Sequence, residues 1–358
     1  MKKLLVLLCA MSLAAFLSAC TSAEETSKEG EKEQENVLAN QEITPEITAT
    51  PTVKPSPTTK PTATPKPTAT PATPYADAAI ATSIPGKYTS QRKDENVGRI
   101  EAITYNSYNY CSNPEEVTTK NAYVYLPYGY SEDKQYNVLY LMHGIGGNEN
   151  EWGMKNDSSR VKIIMDNLIF NGDIEPFIVV TPNGKSGTPS DGQQSYDAFY
   201  CFGQELRNDL IPYIESHYST YGAYNEEGYD LTEARAHRAM AGLSMGGMQT
   251  INIGLCECLD ILSYFGAFSA APTSYEDTKI AGIVKDKMEY DIKYFYNVCG
   301  VKDSTAYWSA SAAAKNLPSV SDRFVDGENF MWMERSGGHD FSIWYLGFYN
   351  FAQLVFTK

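Results

Sequence analysis

Short apolar runs recur along the chain from about residue 86 onward, and most of them show little alternation between apolar and polar positions. Runs of this kind are typical of strands that are buried on both faces of a parallel sheet. Two earlier runs, residues 99–105 and 121–126, alternate as antiparallel edge strands do. The predicted buried strands are residues 136–142, 177–181, 239–242, 294–299 and 330–334.

Helical periodicity appears between these runs. In the second predicted helix, for example, Leu206, Leu210 and Ile214 recur at helical spacing. Strands that alternate with helices predict an α/β fold with a mostly parallel central sheet and helices on both of its faces. In such sheets, ligands bind at the carboxyl ends of the strands. The predicted helices are residues 159–170, 202–218, 245–259, 309–316 and 342–356.

The first 85 residues differ in composition from the rest of the chain. Residues 1–20 combine a basic start with an apolar stretch that is too short for a membrane span, which is the pattern of a signal peptide. This stretch ends in Leu-Ser-Ala-Cys and resembles the bacterial lipobox, so we expect Cys20 to carry lipid; the alternative is an ordinary signal peptide with a chance cysteine. Residues 21–85 are polar and then rich in Pro and Thr, which predicts a disordered linker. A single folded domain is predicted over residues 86–358.

Charge and cysteine content narrow the possible classes of protein. The chain has 44 acidic and 29 basic residues, a formal net charge of −15, which argues against nucleic-acid binding. Five cysteines remain after Cys9 leaves with the signal and Cys20 takes the lipid, and they lack the spacing of a disulfide framework. We expect most of these cysteines to be buried thiols, and one disulfide among them is an alternative. The five are Cys111, Cys201, Cys256, Cys258 and Cys299.

The strongest local motif is Gly242-Leu243-Ser244-Met245-Gly246, which lies where a short apolar strand meets an apolar helical pattern. A serine hydroxyl is a weak nucleophile and must be held clear of the sheet beside a base. A sharp turn from strand to helix does this, and small residues two positions to either side let the backbone pass. We therefore predict Ser244 as the nucleophile of a serine hydrolase.

A nucleophilic serine needs a base and an acid, which follow it in the chain order Ser, acid, His in one large group of hydrolases. Of the four histidines, only His339 follows Ser244, in a Ser-Gly-Gly-His-Asp loop after the last predicted strand. Asp303 follows a predicted strand through a short turn, whereas Asp291 precedes the same strand. We predict His339 as the base and Asp303 as the acid; the alternatives are an exposed loop histidine and a helix cap.

The negative charge that develops during acyl transfer needs two backbone N–H donors. Met245, directly after the nucleophile, is predicted to supply one. The second is predicted in the HGIGGN loop, residues 143–148, with Ile145 favoured and Gly146 next. His143 is expected to fix this loop through hydrogen bonds. No metal-ligand pattern is visible, so we expect neither a metal nor an organic cofactor.

Together these motifs resemble the esterase D-like branch of the α/β-hydrolases, which includes the feruloyl and acetylxylan esterases of carbohydrate esterase family 1. The resemblance spans roughly residues 95–358 and rests on YLMHGIGGNENEW, FIVVTPNG, AGLSMGG, the GVKD turn and GGHDFSIWYLGFYNF in the expected order. It implies the α/β-hydrolase fold and the same catalytic and oxyanion-hole residues. It also implies that Trp152 lies near the acyl-binding cleft and Trp344 just past the histidine, which makes both candidate substrate-binding residues; core packing is the alternative for both.

The resemblance implies a serine carboxylesterase that hydrolyses feruloyl esters on plant cell-wall polysaccharide such as arabinoxylan. The alternatives are an acetylxylan esterase, another acyl esterase or acyltransferase of the same fold, and a cell-surface carbohydrate-binding protein that has lost catalysis. The lipobox places the protein on the extracellular face of a bacterial membrane, with the membrane and a polysaccharide-linked or small ester as its partners. Residues 221–236, a long acidic segment, are interpreted as a surface loop that shapes the cleft.

Overall fold

An eight-stranded mixed sheet forms the centre of the domain. The computed structural model describes residues 80–187 and 196–357. The strands are β1 (Arg99–Asn109), β2 (Asn113–Leu126), β3 (Val138–Met142), β4 (Ile178–Pro182), β5 (Arg238–Leu243), β6 (Tyr264–Phe268), β7 (Tyr294–Gly300) and β8 (Phe330–Arg335). Their order in the sheet is β1-β2-β4-β3-β5-β6-β7-β8. β2 is antiparallel to both of its neighbours, β1 and β4, and the other neighbours are parallel.

Helices follow most of the parallel strands. The second predicted helix, residues 202–218, contains a π-helical turn at Leu206–Leu210. Another π-helical stretch, Thr250–Glu257, continues the helix that begins directly after Ser244. Short 3-10 turns form at Gly86–Tyr88 and Arg235–His237. The α-helices are α1 (Arg160–Phe170), α2 (Asp197–Tyr200), α3 (Phe202–Glu205), α4 (Ile211–His217), α5 (Met245–Gln249), α6 (Asp277–Lys285), α7 (Tyr307–Ala314), α8 (Leu317–Val320) and α9 (Phe341–Leu354).

Strands β3 to β7 are buried on both faces, and this confirms the predicted α/β class. In β3, Val138, Tyr140 and Met142 contact the core that lies beneath α4, α6, α7 and α8. Leu139 and Leu141 contact the opposite core, beneath α1 and α9. A strand with a core on each side must be apolar at every position, and this is why its sequence shows no alternation.

One strand of the sheet was not predicted. β6 has the sequence YFGAF, in which two small residues interrupt the apolar run. A Cβ at Gly266 would lie 2.9 Å from the Phe351 ring and 3.0 Å from the Ala241 Cβ, so a larger residue has no space there. The packing of α9 against the sheet therefore sets a composition that weakens the strand signal.

The β1–β2 hairpin projects past the edge of the sheet at which the parallel strands end. Only residues 122–125 of β2 pair with β4, and Ala122 pairs with Pro182 at the carboxyl end of that strand. A disulfide between Cys111 and Cys201 ties the tip of the hairpin to the residue that precedes α3. The sequence left open whether one disulfide forms, and the Cys111–Cys201 pair is that disulfide. Cys256, Cys258 and Cys299 are buried thiols, as expected.

The folded domain begins earlier than the composition indicates. The signal peptide, Cys20 and residues 21–79 of the predicted linker lie outside the described residues. Residues 80–85, assigned to the linker, instead pack on the domain: the Ala81 N–H donates to Asn350 Oδ1 and the Ala81 carbonyl accepts from Asn350 Nδ2, both at 3.1 Å. The boundary at residue 86 is therefore corrected. Within residues 80–187 and 196–357, no helix is both long enough and apolar enough to cross a membrane.

The interpretation of residues 221–236 as a cleft-shaping loop is wrong. The segment lies at the amino ends of the parallel strands, since the Tyr221 N–H donates to the Tyr136 carbonyl just before β3. The Arg235 guanidinium donates to carbonyls that precede β6 and β7, those of Leu262 and Asp291. Ligands bind at the opposite, carboxyl edge of such a sheet. The segment therefore stabilises the far side of the domain.

Candidate active site

Ser244 lies on the tight turn between β5 and α5. Its φ is +52° and its ψ is −114°, in a region of backbone conformation that non-glycine residues rarely adopt. The two flanking glycines make the turn possible: a Cβ at Gly242 would lie 2.6 Å from the Gly246 carbonyl carbon, and a Cβ at Gly246 would lie 2.6 Å from the Met142 carbonyl oxygen. The Ser244 N–H donates to the Phe268 carbonyl at 2.9 Å, which ties the turn to β6.

Ser244, His339 and Asp303 form one hydrogen-bonded chain at the carboxyl edge of the sheet. His339 Nε2 lies 2.9 Å from Ser244 Oγ, and His339 Nδ1 lies 2.8 Å from Asp303 Oδ2. An ionised carboxylate only accepts hydrogen bonds, so Nδ1 carries the proton and the lone pair of Nε2 faces the serine hydroxyl. The three predicted residues are thus brought together in the order that proton transfer from the serine requires.

The Asp303 carboxylate is fully buried and bonded through both oxygens. Its side chain has no exposed area; Oδ2 contacts His339, and Oδ1 accepts from the N–H groups of Thr305 and Ala306 at 3.0 and 2.8 Å. Burial opposes ionisation, but the hydrogen bonds from His339, the Ala306 amide and Ser269 outweigh it and hold the pKa of Asp303 below its usual value. Asp303 therefore stays charged next to the imidazole.

The loops that follow β7 and β8 are joined by backbone hydrogen bonds, and this brings Asp303 to His339. The Lys302 N–H donates to the Gly337 carbonyl at 3.0 Å, one residue from Asp303. A Cβ at Gly337 would lie 2.5 Å from Ile343 Cδ1, and a Cβ at Gly300 would overlap the Gly337 carbonyl. Gly300 therefore permits the contact between the two loops, and Gly337 leaves room for Ile343 of α9.

The predicted oxyanion-hole residues surround Ser244. Met245 begins α5, where the first N–H groups have no acceptor within the helix. The loop after β3 passes directly beside the nucleophile, since a Cβ at Gly144 would lie 3.2 Å from the Ser244 Cβ. Ile145 follows with a half-exposed side chain, and Gly146 has a φ of +79°, which turns the loop. Both segments are therefore close enough to Ser244 to offer amides to one oxygen atom.

His143 anchors this loop from beneath. Its buried imidazole accepts a hydrogen bond at Nε2 from the Gly184 N–H at 3.1 Å, so Nδ1 is the protonated nitrogen and donates to the Gly144 carbonyl at 2.7 Å. Burial lowers the pKa of His143 to about 4. Gln249, which was not predicted, also donates to the Gly184 carbonyl, at 2.7 Å. A polar residue inside an apolar helical pattern was the available sign of its role.

The two tryptophans assigned to substrate binding are packing residues. Trp152 is completely buried, and its indole N–H donates to the Met142 carbonyl at 3.0 Å, one residue before His143. Trp344 is also buried and packs edge-on against the His339 ring, with ring centroids 5.1 Å apart. Trp152 has no exposed surface, so its assignment to substrate contact is wrong; Trp344 is 8% exposed beside His339, and its contact with substrate stays a prediction. Trp152 supports residues 143–148, the predicted oxyanion loop, and Trp344 supports the imidazole.

The anchoring role of His143 predicts a pH dependence of stability. The folded protein protonates this imidazole only near pH 4, whereas an unfolded histidine binds its proton near pH 6.5, so the unfolded state holds more protons between these values. The free energy of unfolding should therefore fall as the pH drops from 6.5 to 4, by about 3 kcal/mol from this group. Urea titrations across this range would show a shallower fall for His143→Asn than for the wild type.

His217→Asn is the matched control, because His217 is exposed on the surface. This variant should keep the pH dependence of the wild type. Identical pH slopes for His143→Asn and the wild type would contradict the anchoring role.

The Esterase family model matches residues 118–348, a range that includes the whole Ser244–Asp303–His339 chain. Among curated proteins, the chain is 41% identical over 168 residues to "Endo-1,4-beta-xylanase Y" of Acetivibrio thermocellus, which covers 47% of this chain and 14% of that protein. It is 34% identical over 230 residues to "Endo-1,4-beta-xylanase/feruloyl esterase" of Xylanibacter ruminicola, which covers 62% of this chain and 28% of that protein. The chain therefore spans less than a third of the length of either relative.

Two solved structures are similar over nearly their whole length. A carbohydrate esterase family 1 ferulic acid esterase from Anaeromyces mucronatus is 25% identical, with a TM-score of 0.61, and the match covers 78% of this chain and 98% of that one. A mutant of the feruloyl esterase module from Clostridium thermocellum, complexed with sinapinate, is 28% identical, with a TM-score of 0.62 and coverages of 77% and 95%. These findings confirm the resemblance: the chain belongs to the Esterase family and is an α/β-hydrolase of the carbohydrate esterase family 1 type.

Proposed function

We propose that the protein is a serine carboxylesterase that hydrolyses feruloyl esters on plant cell-wall polysaccharide such as arabinoxylan. The observation that carries the proposal is the unbroken chain from Ser244 Oγ through His339 to the buried Asp303 carboxylate. The relatives support the substrate class, since one is named a xylanase and feruloyl esterase and one similar structure holds sinapinate.

In the first half of the reaction, Ser244 Oγ attacks the ester carbonyl while its proton moves to His339 Nε2. The carbonyl oxygen takes the negative charge and accepts hydrogen bonds from the N–H groups of Met245 and Ile145. The intermediate then collapses: the bond to the sugar oxygen breaks, and His339 gives its proton to that oxygen. The acyl group remains on Ser244 as an ester.

In the second half, His339 Nε2 takes a proton from water, and the resulting hydroxide attacks the acyl-enzyme carbonyl. The bond to Ser244 Oγ breaks, the serine recovers its proton from His339, and the free acid leaves. Asp303 stays ionised throughout and stabilises the imidazolium that forms in each half. Its lowered pKa supports this role, because the carboxylate is ionised at neutral pH.

The apolar side chains packed around the Ser244 turn are buried. Phe199, Met245, Met248 and Ala271 form a small separate apolar cluster. Ala271 is directly next to the nucleophile, since its N–H donates to the Ser244 carbonyl at 3.0 Å. All four side chains are at most 5% exposed, so they support the Ser244 turn from within, and the expectation of a feruloyl substrate rests on the relatives.

Removal of the predicted nucleophile should cause the largest loss of activity. Ser244→Ala in the full chain should lower kcat on methyl ferulate by about 10³-fold or more, because no acyl-enzyme can form. Ser216→Ala, which removes an exposed hydroxyl elsewhere on the domain, is the matched control and should leave kcat unchanged. Release of ferulate and of p-nitrophenol from its acetate ester measures both. A wild type as inert as Ser244→Ala on both esters would leave the binding-protein alternative, and turnover of the acetate alone would remove the feruloyl assignment.

Asp303→Asn separates the two roles of that carboxylate. An amide keeps an oxygen for the Thr305 and Ala306 N–H groups but no longer holds the His339 Nδ1 proton, so the wrong tautomer faces Ser244. We expect kcat to fall by about 10³- to 10⁴-fold while the thermal midpoint stays close to that of the wild type. Asp303→Ala, in contrast, should lower both quantities. Near-normal kcat in Asp303→Asn would show that Asp303 is not the orienting acid.

We also propose export and a lipid anchor at Cys20. The lipobox-like ending of the signal sequence supports this, and so does the Cys111–Cys201 disulfide, because such bonds persist in oxidising compartments outside the cytoplasm. Cys20→Ala should shift the protein from the membrane fraction to the medium or leave it unprocessed, as measured by fractionation and mass of the N-terminal peptide. A processed Cys20→Ala form that stays on the membrane would contradict the anchor.

A further inference from the structure

Trp308 stands out among the four tryptophans of the chain because its side chain lies in solvent. It is 81% exposed, whereas Trp152 and Trp344 are buried and Trp332 is half-buried. Isolated apolar side chains are common on protein surfaces, so exposure alone carries no argument. The backbone that holds Trp308 and its position relative to the active site carry the argument.

The backbone of Trp308 is held rigidly at the first turn of α7. The Asp303 carboxylate that contacts His339 also accepts from the Thr305 and Ala306 N–H groups, directly before this turn. On the other side, Ser309 Oγ donates to the Ala270 carbonyl at 2.8 Å, one residue from Ala271, which bonds to Ser244. The backbone that carries the indole is therefore fixed relative to Ser244 and Asp303.

Trp308 lies on the side of the site where the alcohol part of an ester must leave. The nucleophile follows β5, the oxyanion loop follows β3 on one side, and Asp303 and His339 follow β7 and β8 on the other. His339 must protonate the departing sugar oxygen, so that oxygen lies toward β7 and β8. The α7 helix begins directly after the loop that follows β7. A polysaccharide bound through its ester thus passes over the side that carries Trp308.

The surface around Trp308 suits uncharged sugars. The exposed neighbours in the preceding loop include Ser304 and Thr305, which offer hydroxyls, and Lys302, the one exposed charged residue of the segment 301–312. The Tyr307 ring meets the indole edge-on at 5.9 Å, and its hydroxyl donates to Glu334 at 3.0 Å. In a chain with a net charge of −15, the segment 301–312 has no exposed carboxylate, and the nearby Glu334 carboxylate is paired with Tyr307 and Lys315, which favours a neutral partner over a cationic one.

We propose that Trp308 is a sugar-binding platform that holds the polysaccharide chain beyond the ester, on the leaving-group side of the active site. The flat, apolar face of a pyranose ring stacks on an indole, while its hydroxyls bond to Ser304 and Thr305. The proposal rests on the proposed function, because it extends the same site to the polymeric part of the substrate. It accounts for polymer recognition without adding a group to the chemistry.

The test compares a polymeric and a small ester. In the full chain, Trp308→Ala should lower kcat/KM on feruloylated arabinoxylan by about threefold to tenfold, the scale of one aromatic stacking contact, and leave kcat/KM on methyl ferulate unchanged. Trp308→Phe should restore most of the loss. Tyr128→Ala is the matched control, because Tyr128 is 53% exposed and follows β2 at the opposite edge of the sheet. It should change neither substrate.

A binding measurement separates this proposal from the esterase assignment. Retardation of the protein in gels that contain unesterified arabinoxylan should be lost in Trp308→Ala and kept in Ser244→Ala. If the wild type hydrolyses no ester but Trp308→Ala still loses retardation, the platform stands and the proposed activity fails. Equal retardation and equal kcat/KM on the polymer for the wild type and Trp308→Ala would overturn the platform. So would conversion of a dimer to a monomer in Trp308→Ala with unchanged retardation, because the face would then join two copies of the chain.

Discussion

The buried carboxylate of Asp303 is the interaction on which the site depends. A buried charge is tolerated only when its oxygens are bonded, and here the partners lie on two different parts of the chain. Oδ2 holds the imidazole of His339, and Oδ1 caps the turn that leads to α7. One group therefore sets both the tautomer of the base and the position of the neighbouring helix. The hydrogen bonds to Asp303 Oδ1 also position the backbone of Trp308, which lies in the first turn of α7.

The parallel sheet explains why distant residues meet. Strands that run in one direction end at one edge, so the loops after β3, β5, β7 and β8 converge there although their residues are up to about 200 positions apart in the chain. Glycines let these loops approach each other: Gly144 lies against Ser244, and Gly337 lies against the turn at Gly300. The bulkier residues stand one layer further back. Trp152 supports the oxyanion loop, and Trp344 supports His339.

The position of His339 gives the proposed reaction a direction. His339 must protonate the departing alcohol, and the loop before α7, with the exposed hydroxyls of Ser304 and Thr305, follows β7 on that side of Ser244. Phe199, Met245 and Met248 form a buried apolar cluster that supports the Ser244 turn from within. The chain shares the fold of the Esterase family, while the substrate depends on the side chains around Ser244, which belong to this chain.

Local sequence determined the fold class, most of the strands and helices, and the positions of Ser244, His339 and Asp303, because each depends on a short pattern: an unbroken apolar strand, a glycine-flanked turn, or a residue directly after a strand. What the sequence did not contain were properties set by long-range packing. The family resemblance implied that Trp152 lies near the cleft, but tertiary contacts bury it completely. The sequence signal of β6 is weakened by Gly266, and this glycine is needed because the Phe351 ring packs against it. The pairing of Cys111 with Cys201, 90 residues apart, and the far-side position of residues 221–236 were decided by the topology. Burial and pairing are properties of neighbours in space, and a single sequence lists only neighbours along the chain.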